Sequence, residues 1–380
     1  MIYVDNAATT ALKPEVLDKM MPYLTSKYGN PSSIYTLGRE AKEAIENARQ
    51  QIADSIGAKK DEIFFTGSGS EADNWAIKGV AQSGKGRHII TSAIEHHAVL
   101  HCFEYLKRNG FEVTYLGVDS YGLVNPDDLK AAITDDTSLI SIMTANNEIG
   151  TIQPVSQLGA IAKEHKIPFH TDAVQAFGHM PLDVDDINAD LLSISAHKLG
   201  GPKGVGALYI RKGTRISQYM HGGAQENNKR ASTENVAGIV GFGYAAVLAQ
   251  KKMAENIEKM QSLRDDFIKQ VYNSIPNCRL NGHPTKRLPG NVNFSFDFIE
   301  GESLLLMLDL KGIAASSGSA CTSGSLDPSH VLLAIGLPHE TAHGSLRVSF
   351  SEDNTAEQAD TIIKELIPIV QRLREMSPLT

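Results

Sequence analysis

Ser193-Ile-Ser-Ala-His-Lys198-Leu-Gly-Gly-Pro-Lys-Gly-Val205-Gly-Ala-Leu-Tyr209 reads as two short strands joined by a glycine- and proline-rich turn. The first, starting at Asp190, stops at Ser195; the second runs from Val205 to Ile210. Lys198 stands just past the end of the first strand, beside two hydroxyls, an imidazole and close-approach glycines. A solubilising lysine would normally lie on an exposed face. An amine in partly desolvated surroundings has its pKa lowered, because burial disfavours the ammonium form, and it can then attack an aldehyde to form a Schiff base. Taken alone, the stretch fits a salt-bridging loop lysine equally well.

Upstream, apolar runs alternate with helical stretches: Ile63-Phe-Phe-Thr, His88-Ile-Ile-Thr, Val113-Thr-Tyr-Leu, Leu139-Ile-Ser-Ile-Met and Pro168-Phe-His-Thr. Strands spaced in this way predict an α/β fold whose mainly parallel sheet is covered on both faces. Pro14 opens a helix, Leu37 to Ile56 is an amphipathic helix, and a long helix runs from Glu234 to about Asn273. Beyond Pro276 the chain reads as a smaller α+β unit, with strands near Asn291-Val-Asn-Phe-Ser-Phe and Leu346-Arg-Val-Ser-Phe and a closing helix from Thr355. The expected division is a large domain over 14–260, with 1–13 and 261–380 forming the small one.

The 380 residues carry a net charge of −8, with 42% hydrophobic and 21% charged residues, the composition of an ordinary soluble globular protein. The charge leaves no electrostatic footprint for nucleic acid and opposes binding to an anionic membrane. The start, Met1-Ile-Tyr-Val-Asp-Asn6, lacks the features of a signal peptide, and no apolar run is long enough to span a bilayer, so a cytoplasmic location is expected. Three cysteines, Cys102, Cys278 and Cys321, imply no disulfide framework.

In sheets of this kind ligands bind beyond the carboxyl ends of the strands, so the residues there belong together. Gly67-Ser-Gly-Ser70 precedes a helix whose amino terminus could hold a phosphate; on its own it is equally an ordinary strand-to-helix turn. Asp172 ends a strand at a depth where a carboxylate needs a partner. Pyridoxal phosphate is the common biological aldehyde held by a lysine, and a carboxylate facing its pyridine nitrogen would keep that nitrogen protonated. Gln175 could donate to the phenolic oxygen, and the flat ring of His96 could stack on the cofactor. His97 and His101 lie one helical turn apart, as metal ligands often do, but spacing supplies no third ligand and no metal is expected. Cys321 lies in the Gly/Ser-rich run 315–328, consistent with a nucleophile on a mobile loop. Arg347 could bind a carboxylate bidentately, or be a surface arginine.

Together these residues resemble the cysteine desulfurases of the class V aminotransferase superfamily, pyridoxal phosphate enzymes of fold type I. The likeness runs along nearly the whole chain: Tyr3-Val-Asp-Asn-Ala-Ala-Thr-Thr10, Tyr28-Gly-Asn-Pro-Ser-Ser33, Glu95-His96, Asn146-Asn-Glu-Ile-Gly150, His170-Thr-Asp-Ala-Val-Gln175, Ser195-Ala-His-Lys198, Arg230-Ala-Ser-Thr233 and Ser317-Gly-Ser-Ala-Cys321. The resemblance implies that Lys198 bonds the cofactor aldehyde, Asp172 pairs with the pyridinium, Gln175 bonds the phenolic oxygen and His96 stacks on the ring and manages thiol protons. It implies phosphate contacts from Gly69, Ser70, Ser195 and His197, with Thr233 reaching over from the second subunit of a homodimer. Asn147, at the cofactor, and Arg347 would hold the carboxylate of L-cysteine. Cys321 would take the sulfur as a persulfide and, as in the mobile-loop group, hand it to an acceptor protein, an iron–sulfur scaffold or a thiolation enzyme. Tyr35, Ser70 and Ser232 depart from the commonest family pattern without removing a required group. The alternatives are a selenocysteine lyase, which would share nearly every residue, and a class V aminotransferase, which has no use for the thiol.

Overall fold

The computed structural model describes residues 1–317 and 328–377; Cys321 lies outside the described residues. Seven strands form the main sheet: β2 (Ile63–Thr66), β3 (His88–Ser92), β4 (Glu112–Leu116), β5 (Thr137–Ser141), β6 (Phe169–Asp172), β7 (Leu191–Ser195) and β8 (Gly206–Ile210), after the short β1 (Ile2–Tyr3). Their spatial order is β2-β8-β7-β6-β5-β3-β4. Every pair is parallel except those made by β8, which runs against both β7 and β2. The turn between β7 and β8 is too short for a crossover, so the two must be antiparallel neighbours. Most of these strands are apolar on successive residues because helices cover both faces.

A second, three-stranded antiparallel sheet has the order β12-β10-β9, from β9 (Cys278–Leu280), β10 (Asn291–Phe296) and β12 (Ser345–Ser349). β1 pairs in parallel with β11 (Ile313–Ala314), tying the chain start to the C-terminal part. The helix Val236–Ser274 joins the two regions. Ala237, Phe242 and Ala249 pack in the core of the main sheet, whereas Leu263, Phe267 and Val271 pack with Phe294 and Val348 of the small sheet. The helix Ala356–Met376 closes the small unit, and Thr355 begins it with a capping box made with Gln358.

The expected elements are present with shifts at their ends. Ile142 and Met143, read as strand, lie beyond the end of β5, although the Ile142 amide still donates to the His170 carbonyl of β6 at 3.1 Å. The irregular start contains β1, whose two residues are too short to show a period.

Candidate active site

Lys198 closes a 3₁₀ turn, Ala196–Lys198, that leaves the carboxyl end of β7. Its Nζ donates to the carbonyls of Ala7 and Ala8 at 2.6 and 2.7 Å. Those carbonyls belong to an N-terminal strap pinned to the same turn: Thr10 Oγ1 donates to the His197 carbonyl at 3.0 Å and accepts from the Gly200 amide at 2.8 Å. Gly200 has φ +78°, a left-handed conformation, and a Cβ there would lie 2.7 Å from the Lys13 side chain. Glycine therefore lets the strap and the lysine turn approach closely.

A cavity of about 320 Å³ opens at this point. Ten of the twelve site residues expected from the sequence line it: Gly69, Ser70, His96, Asn147, Asp172, Gln175, Ser195, His197, Lys198 and Arg347. Thr233 does not; it is exposed and follows Ser232, whose φ is +101°. Cys321 is the twelfth.

At one end of the cavity, Ser68 caps the helix Gly69–Ser83 by accepting from the Glu71 amide at 3.1 Å. The amides of a first helical turn have no carbonyl of their own helix to bind, and the helix dipole favours an anion beside them. A Cβ on Gly69 would lie 2.8 Å from Val174 Cγ2 and 3.4 Å from Ser195 Cβ, so only glycine leaves this cradle open. His197 adds an imidazole whose Nδ1 is 3.2 Å from Thr9 Oγ1. Burial, Lys198 and Lys203 lower its pKa to about 4, so it meets an anion as a neutral donor or acceptor.

Asp172 ends β6 and is 6% exposed. The partner expected for so deep a carboxylate is the Val174 amide, which donates to Oδ1 at 2.9 Å. Burial pushes its pKa up to about 6 against the lowering effects of that amide and of Lys198. Gln175 Nε2 donates to the Ala7 carbonyl at 2.9 Å, the carbonyl that also receives Lys198.

His96 is the N-cap of the helix His97–Arg108, and its Nδ1 accepts from the Ala98 amide at 3.1 Å. The neutral ring therefore carries its proton on Nε2. Burial, then Lys198 and the neighbouring histidines, lower its pKa to about 4. His97 packs against His101 and His330, with ring centroids 5.1 and 4.8 Å apart. Among the described residues no group of three His, Cys, Asp or Glu side chains is placed to hold a metal.

Arg347 is buried, which removes the surface alternative. Its Nη2 donates to Asp5 Oδ1 at 2.8 Å and its Nη1 to the Asn147 carbonyl at 3.1 Å, while Nε is buried with no partner among the described residues. The backbone of Arg347 pairs with Ser316. On the other flank of the segment that carries Cys321, Ser329 Oγ bonds Glu148 Oε2 and His330 Nε2 lies 3.0 Å from the Glu95 carbonyl. Burial pushes Glu148 up to about 7, against Ser329 and Arg347, which lower it.

Several contributors were not legible in the sequence. Asp5 and the Ala7 and Ala8 carbonyls come from the N-terminal strap, which carries a motif but no chemical signature. Asp73, which lines the cavity, and Glu95 are fully buried acids; a burial signal for Asp73 was available in its neighbours Ala72, Trp75 and Ala76, which are also buried.

These residues fit pyridoxal phosphate. The open Gly69 cradle at a helix amino terminus suits the phosphate, Asp172 with a single neutral donor suits a protonated ring nitrogen, and Lys198 supplies the amine. The orphaned Arg347 Nε suits a substrate carboxylate.

The chain belongs to the aminotransferase class-V family, whose model matches residues 2–362. It is 58% identical over 381 residues to a protein of Methanosarcina thermophila named cysteine desulfurase IscS, covering 100% of this chain and 94% of that one. A cysteine desulfurase IscS of Dictyoglomus turgidum is 58% identical over 379 residues, covering 99% and 96%. Among solved structures, a NifS-like protein superposes with a TM-score of 0.92 at 39% identity, covering 98% of this chain and 100% of that chain. The apo structure of a cysteine desulfurase from Thermococcus onnurineus NA1 gives 0.88 at 26% identity, covering 98% and 95%.

Proposed function

We propose that this protein is a cysteine desulfurase that converts L-cysteine to L-alanine and takes the sulfur onto Cys321 as a persulfide. The observation that carries this reading is the convergence of Lys198, Asp172, His96, Arg347 and the Gly69 cradle on one cavity. Full-length similarity to proteins named cysteine desulfurase supports the choice of reaction. A structure neighbour, described as SspA in complex with cysteine, supports the substrate.

Pyridoxal phosphate, when bound through Lys198, supplies an electron sink for the α-carbon of an amino acid. Gly69, Ser70, Ser195 and His197 hold its phosphate, and Asp172 keeps the ring nitrogen protonated. His96 would stack its ring on the cofactor, and Gln175 would donate to the phenolic oxygen. Asn147 and Arg347 would fix the substrate carboxylate, which would place the α-proton within reach of the Lys198 amine. The Cys321 thiolate attacks the substrate sulfur. The carbon–sulfur bond breaks with its electron pair left on carbon, a sulfur–sulfur bond forms, and two protons added to carbon complete alanine. Cys321 is five residues from Ser316, whose backbone pairs with the cavity residue Arg347, so covalent geometry limits its distance from that anchor to roughly 17 Å.

The large domain spans 14–260 and the small one 1–13 and 261–380, in keeping with the change of core along the helix Val236–Ser274. Thr233, exposed on its own chain, serves the phosphate site of a second copy in a homodimer. The persulfide passes to an acceptor protein, an iron–sulfur scaffold or a thiolation enzyme. The free thiols Cys102 and Cys278 suit the reducing cytoplasm, and no described helix is long and apolar enough to cross a membrane.

The test is a visible spectrum of the purified protein followed by assay with L-cysteine and dithiothreitol. Sulfide and alanine in equal amounts, with loss of sulfide in Cys321→Ala, are expected. A keto acid in place of alanine, or unchanged sulfide release by that variant, overturns the reading.

A further inference from the structure

Asp73 lies on the helix Gly69–Ser83 and is 1% exposed. It lines the same cavity as Asp172, and its Oδ1 has no hydrogen-bond partner among the described residues. Among the described residues no lysine or arginine pairs with it; the basic group beside it is His170, whose Nε2 is 3.6 Å from Oδ1. That imidazole is fully buried, and desolvation takes its pKa down to about 3, so it is neutral and brings no countercharge. Asp172 on β6 acts on Asp73 as a like charge, in addition to the burial that raises its pKa most, and Glu95 beyond β3 adds to this only where it is ionised. Cys102, on the neighbouring helix His97–Arg108, is held as a neutral thiol by burial, its pKa pushed up to about 12. Carboxyls crowded in a dry site cannot all ionise.

A hydrogen-bonded row leads away from Asp73 under the sheet end. Ser193, beside Asp73, has its Oγ 2.9 Å from His170 Nε2, and His170 Nδ1 lies 2.8 Å from Ser141 Oγ. Each hydroxyl has one proton, and so has a neutral imidazole. An ionised Asp73 would need Ser193 to donate to it, His170 to donate from Nε2, and Ser141 to donate to Nδ1. A protonated Asp73 reverses the row: it donates to Ser193, Ser193 donates to Nε2, and Nδ1–H donates to Ser141. Both states satisfy the row, so the crowding of carboxyls decides between them.

We propose that Asp73 is a neutral carboxylic acid at the head of the row Asp73–Ser193–His170–Ser141, a positioning residue that leaves Asp172 as the single anion facing the cofactor ring nitrogen. Its role toward the ring rests on the pyridoxal phosphate reading; its protonation state does not. With Asp73 neutral, Asp172 is spared a second negative charge that would draw a proton onto it and away from the ring.

Infrared absorption of the cofactor-free protein near neutral pH tests the protonation state. The stretch of a protonated carboxyl present in the parent protein is lost in Asp73→Asn; loss of a carboxylate band in its place overturns the proposal. In the holoprotein, Asp73→Ala shifts the pH midpoint of the cofactor's visible absorption, and Asp73→Asn, which mimics the neutral acid, restores it. An asparagine variant that titrates like the alanine variant overturns the positioning role. A protein that takes up no pyridoxal phosphate sinks the functional reading and leaves the infrared comparison to decide the acid.

Discussion

Arg347 Nη2 and Asp5 Oδ1 lie 2.8 Å apart in the cavity wall, joining β12 to a residue 342 positions earlier in the chain. The contact orients the guanidinium before any substrate arrives, with Nη1 on the Asn147 carbonyl and Nε left over. Asp5→Asn keeps the shape and removes the charge. Asp5 retains some contact with solvent, so the loss in stability falls at the low end for a broken buried pair, about 1–3 kcal/mol. The arginine also loses its alignment, and KM for L-cysteine rises more than kcat falls. Thermal melting and steady-state kinetics check this, and an unchanged KM would remove Arg347 from carboxylate binding.

Under the proposed function His96 has two tasks, stacking on the cofactor and carrying a proton, that one substitution separates. His96→Phe keeps a flat ring against the cofactor but loses both Nε2–H and the cap that Nδ1 gives to the Ala98 amide. Loss of the cap costs about 1 kcal/mol. Loss of a proton carrier lowers kcat by about 10²-fold or more, while pyridoxal phosphate still binds. Because burial and Lys198 hold the parent imidazole at about 4, it contributes no acid limb near the usual histidine range in a pH profile of the free enzyme. Cofactor occupancy and kcat measured on the same preparation separate the tasks; a variant with parent kcat would reduce His96 to a stacking surface.

Gly69→Ala is expected to weaken the cofactor rather than the fold. In an exposed helix this change stabilises by up to about 1 kcal/mol. Here the new Cβ would lie 2.8 Å from the stiff, β-branched Val174 and 3.4 Å from Ser195 Cβ, so the phosphate cradle must deform. Pyridoxal phosphate titration should show affinity reduced about tenfold or more, corresponding to roughly 1.4 kcal/mol. Undiminished affinity would place the phosphate elsewhere.

The residues that sequence reading found at this site are those that end strands. Ser195, Asp172 and His96 follow apolar runs whose limits are sharp, because a strand covered on both faces tolerates few polar residues, and a parallel sheet gathers its strand ends on one side. Strand order and direction were not legible, since β8 is as apolar as the parallel strands of the sheet and only the shortness of its connection to β7 reverses it. Asp5 and Asp73 escaped for a different reason. One is an acid in an irregular strap and the other resembles the solvent-facing acid of an amphipathic helix. Their burial comes from Arg347 and from the His170–Ser193 row, contacts made far away in the chain. Thr233 does not line its own chain's cavity.

Glu95 gives the pH dependence of stability a definite sign. It is fully buried; Ser92 Oγ and the Met143 amide donate to Oε1 at 2.6 and 2.9 Å, while Oε2 has no partner among the described residues. Burial pushes its pKa up from 4.5 to about 8, against the lowering effect of those two donors. The folded state therefore holds this proton where the unfolded chain has lost it, and stability falls as pH rises through the window from 4.5 to about 8. Glu95→Gln titrates in neither state, keeps an acceptor for Ser92 and Met143, and places an amide where Oε2 stood. Relative to the parent, the variant should gain roughly 1.4 kcal/mol per pH unit across that window and level off above it. Denaturant unfolding of the cofactor-free forms at a series of pH values measures the difference. A constant offset between the two proteins would mean that Glu95 is already ionised in the folded protein, with Ser92 and Met143 strong enough to hold a full charge beneath the sheet end.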